Sequence, residues 1–87
     1  MNTLNYYQLL DLPEDFDYNK VIKINLDEYN LTRLNELNLE RFINLRELNC
    51  NDNKLTDLDC LSNCTSLQVL WCSNNKLSNL DCLSNCT

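Results

Sequence analysis

Leu45-x-x-Leu48-x-Cys50-x-x-Asn53-x-Leu55-x-x-Leu58-x-x-Leu61-x-x-Cys64 is written twice in this chain. The second copy lies 22 residues on and reads Leu67, Leu70, Cys72, Asn75, Leu77, Leu80, Leu83 and Cys86. Of the 21 aligned positions, 14 are identical. A period of this size marks a unit that cannot bury its apolar face alone and does so against its neighbours, which is a solenoid. Within each unit the first six positions alternate, so they predict a short strand with Leu48 and Cys50, or Leu70 and Cys72, turned inward. The residues between them face outward.

Upstream, residues 21–44 form a degenerate first unit. Val21, Ile24, Leu26, Leu31 and Leu34 fit the spacing counted forward, and Leu39 and Phe42 fit it counted back from Leu45. Two extra residues sit between the two sets, and Tyr29 stands where Asn53 and Asn75 stand later. Residues 1–20 do not repeat. The expected organisation is a 1–20 N-terminal cap of short helix and loop, followed by repeats at 21–44, 45–66 and 67–87. In the cap, Thr3 is expected to N-cap a helix through Leu4–Asp11 that Pro13 closes, with Leu4, Tyr7 and Leu10 as its apolar stripe. In the return half of each later unit, Asp59 and Asp81 are expected to cap a single turn.

The order LxxLxLxxN, with Cys in the third hydrophobic slot, resembles the leucine-rich repeat family, and the full spacing is similar to its 22-residue class. The resemblance implies an α/β fold, a leucine-rich-repeat solenoid. Such a solenoid is a short curved horseshoe with a parallel sheet on the concave side and short helical turns on the convex side. It also implies that Asn53 and Asn75 turn inward and hydrogen-bond neighbouring backbone as a ladder. Leu12-Pro13-Glu14 is faintly similar to the start of an F-box, but strand pattern from Val21 leaves too little chain for that three-helix unit.

Composition narrows the function. The chain has 87 residues, one domain at most, with no Gly, so its turns are built from Asn, Asp, Ser and Lys. The net charge of −6 argues against nucleic acid and against anionic membranes. There is no basic and apolar N-terminal leader, and no apolar run approaches ~18 residues. The expected location is therefore cytoplasmic. Three Asn-x-Thr sequons, at Asn30, Asn63 and Asn85, are read as chance in an Asn-rich chain. The chain has no His, no Gly-rich phosphate loop and no nucleophile elbow. The acidic cluster Asp11, Glu14, Asp15 and Asp17 reads as a solvated loop. An enzyme is not expected, nor is a cofactor.

Six Cys recur with the repeat. Cys50 and Cys72 fill the slot of Leu26, and Cys64 and Cys86 that of Phe42, so they read as small core hydrophobes. Cys60 and Cys82 occupy a slot with no apolar requirement. If the repeats stack, Cys60, Cys64, Cys82 and Cys86 come together, which leaves zinc or a disulfide as the alternative.

The two close copies differ unevenly. Segment 59–65 is identical to 81–87, whereas all five outward or edge strand positions differ: Arg46/Gln68, Glu47/Val69, Asn49/Trp71, Asn51/Ser73 and Asp52/Asn74. Change collects on the open face of the sheet, whose columns read Lys23, Glu47, Val69, then Asn25, Asn49, Trp71, then Asp27, Asn51, Ser73. These nine residues are the candidate partner-binding set, with Trp71 foremost, and the expected role is a non-catalytic protein–protein interaction module. The alternatives are a truncated structural repeat fragment without its own partner, or a Cys-based metal-binding element. The sequence stops one residue short of a full repeat, so self-association through an uncapped C-terminal edge is also expected.

Overall fold

The structure, a computed structural model, describes residues 3–62 and 64–77. Four three-residue strands form one all-parallel sheet in chain order: β1 (Thr3–Asn5), β2 (Lys23–Asn25), β3 (Glu47–Asn49) and β4 (Val69–Trp71). Parallel neighbours need a crossover: the first holds a short α-helix and the 3₁₀ turn Tyr18–Lys20, and the later two are return segments with 3₁₀ turns only. Thr3, Lys23, Glu47 and Val69 stand in register, so successive strands are 20, 24 and 22 residues apart. The sheet continues past the strand ends through Leu26 N–H to Asn49 O and Cys50 N–H to Trp71 O, each 2.7 Å. This is the parallel sheet with short turns that the repeat predicts.

The middle residue of each strand points inward. Leu4, Ile24 and Leu48 are buried, and Leu70 is half-buried. Leu26, Cys50, Leu34, Leu58, Leu39, Leu61, Phe42, Cys64, Leu45 and Leu67 complete a continuous core. Cys50 is fully buried beside Leu26, and Cys64, 4% exposed, shares the layer of Phe42. These two thiols pack as the hydrophobes they replace, and the Cys64 Sγ donates to the Leu39 carbonyl at 3.5 Å. Cys72 and Cys60 are half-buried. Leu80, Cys82, Leu83 and Cys86, on which the expectations about a bare C-terminal edge and a four-thiol cluster turn, lie outside the described residues.

The two extra residues of the first unit fall between Leu34 and Leu39. Two 3₁₀ turns, Asn35–Leu37 and Leu39–Arg41, are joined there by Asn38 in the left-handed region (φ 55°). The later unit has the single turn Asp59–Leu61. Asp59 does not cap it: the flanking residue is Leu58, and the Asp57 carboxylate accepts the Asp59 N–H at 3.2 Å. Three aligned positions, Glu28, Asp52 and Asn74, also take positive φ, so the same bend follows β2, β3 and β4. Asp and Asn enter that region more readily than Glu does.

The N-terminus differs from expectation. Thr3-Leu4-Asn5 is a strand paired to β2, and the helix is only α1 (Tyr6–Leu10). Asn5, not Thr3, caps it. Asn5 Oδ1 accepts the Gln8 N–H (2.9 Å), and Gln8 Oε1 accepts the Asn5 N–H (2.8 Å), a capping box. With so short a helix, the residue that reaches the core is Leu9, while Tyr7 and Leu10 are exposed.

Candidate functional site

The open face is built by the sheet's register. Alternation sets Leu4, Ile24, Leu48 and Leu70 inward, so their neighbours stand outward in columns across the strands. The first column is Lys23, Glu47 and Val69. The Lys23 Nζ and Glu47 Oε2 form an ion pair at 2.8 Å, and Val69 is half-buried. The second is Asn25, Asn49 and Trp71, with Trp71 45% exposed. Beyond the strand ends Asp27, Asn51 and Ser73 form the third, since the backbone bonds Glu28 N–H to Asn51 O and Asp52 N–H to Ser73 O keep the pairing in step. All nine candidate residues therefore share one surface.

Asn residues organise this surface. The Asn25 Oδ1 accepts the Asp27 N–H (3.1 Å), the Asn49 Oδ1 accepts the Asn51 N–H (3.0 Å), and the Asn51 Oδ1 accepts the Ser73 N–H (2.7 Å). Each holds the next stretch of backbone as the strand gives way to the bend. Asp27 is half-buried, and its Oδ1 is buried without a hydrogen-bond partner among the described residues.

Behind the face runs the ladder. The buried Asn53 donates through Nδ2 to the carbonyls of Leu26 (2.8 Å), Cys50 (3.0 Å) and Asn51 (3.1 Å), and accepts at Oδ1 from the N–H groups of Tyr29 and Leu31 (both 3.0 Å). Asn75 repeats the pattern against Cys50, Cys72, Ser73 and Leu55. Tyr29 makes no such bonds from its side chain among the described residues. Its ring packs on Tyr6 and Tyr7, with centroids 4.9 and 5.6 Å away, and so ties the first repeat to α1.

Sequence reasoning missed the contribution of β1. Thr3 and Asn5 extend the first two columns. The signal was present, since Thr3-Leu4-Asn5 alternates as Lys23-Ile24-Asn25 does. A separate groove of about 480 Å³ is lined by Arg33, Lys54 and Lys76, the carboxylate Asp57, and Thr32, Asn35 and Thr56.

Burial acts on three of the thiols among the described residues. Burial, reinforced by Cys72 and Cys60, pushes the Cys50 thiol up to about 12. Burial, then Cys64 and the carboxylates of Glu40 and Asp57, pushes Cys60 up to about 12. Burial also raises Cys72. A thiol held neutral is a weaker nucleophile than a thiolate. Among the described residues no three His, Cys, Asp or Glu side chains gather as a metal site, and no helix is long and apolar enough to cross a membrane.

Residues 43–85 match the family described as Leucine Rich repeats (2 copies), which spans the two close repeats. No curated protein matches the sequence significantly. Taken with the parallel sheet and its register, the match places residues 43–85 in the leucine-rich repeat family, whose modules are typically protein-binding scaffolds and usually non-catalytic.

Proposed function

We propose that this chain is an intracellular protein–protein interaction module that binds its partner through the open face of the sheet. The supporting observation is Trp71. It leaves nearly half its surface in solvent, on the same column in which Asn5, Asn25 and Asn49 stand on the other strands. The slot therefore does not require a large hydrophobe for folding. An exposed Trp flanked by Val69 on a polar surface has the composition of an interface hot spot. The neighbouring Glu47, Asn49, Asn51 and Ser73, with Lys23, Asn25 and Asp27 beyond them, supply the polar rim. Residues 1–20 act as the cap that covers the first repeat and residues 21–87 as the repeat array. The intracellular assignment rests on Cys50 and Cys64, which serve as core packing where a reducing compartment keeps them thiols.

The test is Trp71→Asn, which installs the residue of the other strands. Stability should change by no more than about 0.5 kcal/mol, as for most surface substitutions, while partner affinity falls by about 2 kcal/mol or more. A loss of stability of about 2 kcal/mol or more would instead make Trp71 a packing residue.

A further inference from the structure

We infer that the groove lined by Arg33, Lys54 and Lys76 is a second binding site, separate from the open face, which takes a phosphorylated Ser or Thr side chain carried by a protein partner.

The groove gathers unpaired positive charge in an acidic chain. Arg33, Lys54 and Lys76 are three of only seven Lys and Arg residues, against 13 Asp and Glu. All three are exposed, and none has an ion-pair partner among the described residues. Two of the other four cations are engaged. Lys23 pairs with Glu47 at 2.8 Å, and Arg41 lies over the Tyr18 ring, 5.5 Å from its centroid. The one carboxylate that lines the groove is Asp57, and its Oδ1 already accepts the Asp59 N–H at 3.2 Å.

The backbone holds two of these charges side by side. The Lys54 N–H donates to the Leu31 carbonyl (2.7 Å), and the Lys76 N–H donates to the Leu55 carbonyl (2.8 Å). The two lysines therefore occupy successive rungs of the solenoid, at about the 4.8 Å spacing of neighbouring strands. Like charges so placed repel, and a bound anion relieves them. The fold itself asks nothing of this position. It buries Asn53 and Leu55 and leaves Lys54 between them in solvent. Yet Asn-Lys-Leu stands at 53–55 and again at 75–77, while the outward strand positions all changed between the copies.

Charge and donor type select the ligand. Three cations and one carboxylate leave two positive charges in excess, which a phosphate monoester, close to a dianion at neutral pH, balances. A single carboxylate would leave one of them unmet. Arg33 offers a planar fork of donors for phosphate oxygens, and the lysines offer point charges. The Thr32 and Thr56 hydroxyls line the same groove as further donors. Its volume of about 480 Å³ lies in the range of small-ligand sites. Nucleic acid is a different case, because it sets many phosphates against a chain of net charge −6. One phosphoryl group meets the groove cations at close range, while carboxylates beyond about 8 Å are screened at physiological salt.

The experiment passes a library of nine-residue peptides, with a central phosphoserine or phosphothreonine and random flanks, over the immobilised full chain. Retained peptides are then titrated one by one, beside counterparts with Ser or Thr, or with Glu, at the centre. The phosphorylated forms should bind at least tenfold more tightly than either counterpart. Arg33→Gln, Lys54→Gln and Lys76→Gln should each weaken them about tenfold, the scale of one charge-assisted hydrogen bond. Melting temperature should stay unchanged in all three, which shows that the variants are folded. Lys20→Gln removes a charge outside the groove and should leave binding intact. Equal weakening by Lys20→Gln would mean attraction to overall charge and overturn the site. Glu counterparts that bind as well would make the ligand an acidic segment, and a library with no retained phosphopeptide would remove the site altogether; both overturn the inference. None of the nine face residues lines this groove, so each of these outcomes leaves the proposed binding face standing.

Discussion

At the residue scale, stability is concentrated in side chains that serve backbone. Asn53 makes five hydrogen bonds from a buried position and joins the first repeat to the second. Asn53→Ala strands the Tyr29 and Leu31 N–H groups and removes a donor from three carbonyls. It should cost about 3 kcal/mol in denaturant unfolding, since each buried group left unpaired costs about 1–3 kcal/mol. A cost under about 1 kcal/mol would mean that solvent substitutes for the side chain. The thiols set a pH limit. Folding raises the Cys50 and Cys60 values from 9.0 to about 12, so the folded state binds protons that the unfolded state releases first. Their contribution is complete below 9.0 and is lost as pH rises toward about 12. Melting temperature should fall progressively across that window, and Cys50→Ala with Cys60→Ala should flatten the alkaline slope. An unchanged slope in the double variant would locate the pH dependence elsewhere.

At the element scale, legibility followed redundancy. Strands β2, β3 and β4 and their inward residues were readable because each is written as a variation on one pattern. The ladder was readable through the family resemblance at Asn53 and Asn75. Strand β1 was not, because its alternation runs over Thr3-Leu4-Asn5 only and no later Leu repeats the spacing. A helix start at Thr3 competed with it, and pairing to the edge of β2 decided the matter. The turn at Asp59 was misplaced because Asp reads in sequence as a cap, whereas Asp59 is the first residue of the turn and its own N–H is bonded to the Asp57 carboxylate. The nine face residues followed from alternation alone, whereas the unpartnered Asp27 oxygen needed coordinates. The junction of β1 and α1 yields its own test. Asn5 ends a strand and caps a helix with the same backbone. Asn5→Ala should cost about 1 kcal/mol, the usual worth of such a cap, and Asn5→Ser should recover most of it. If Ala is tolerated without loss, the helix is held by Leu9 and the Tyr6–Tyr29 packing instead.

At the scale of the whole molecule, each repeat touches mainly its neighbours, so stability is a chain of couplings rather than one shared core. Strand β3 has partners on both sides, and Leu48 is fully buried between Ile24 and Leu70. Strand β1 pairs only with β2 among the described residues, and Leu4 keeps 6% of its surface exposed. The two positions hold the same residue type in the same register, so they isolate the effect of place. Leu48→Ala should cost about 3–4 kcal/mol and Leu4→Ala about 2 kcal/mol, within the range for buried Leu truncations. The sharper distinction is spatial. Hydrogen exchange should accelerate throughout β2, β3 and β4 in Leu48→Ala, because breaking the middle coupling severs both sides. In Leu4→Ala the acceleration should stay within residues 3–10, with the Leu26 and Cys50 amides, which donate to Asn49 and Trp71 carbonyls, still protected. Equal acceleration everywhere in both variants would show that the repeats fold and unfold as a single cooperative unit, and that the nearest-neighbour picture does not hold at this length.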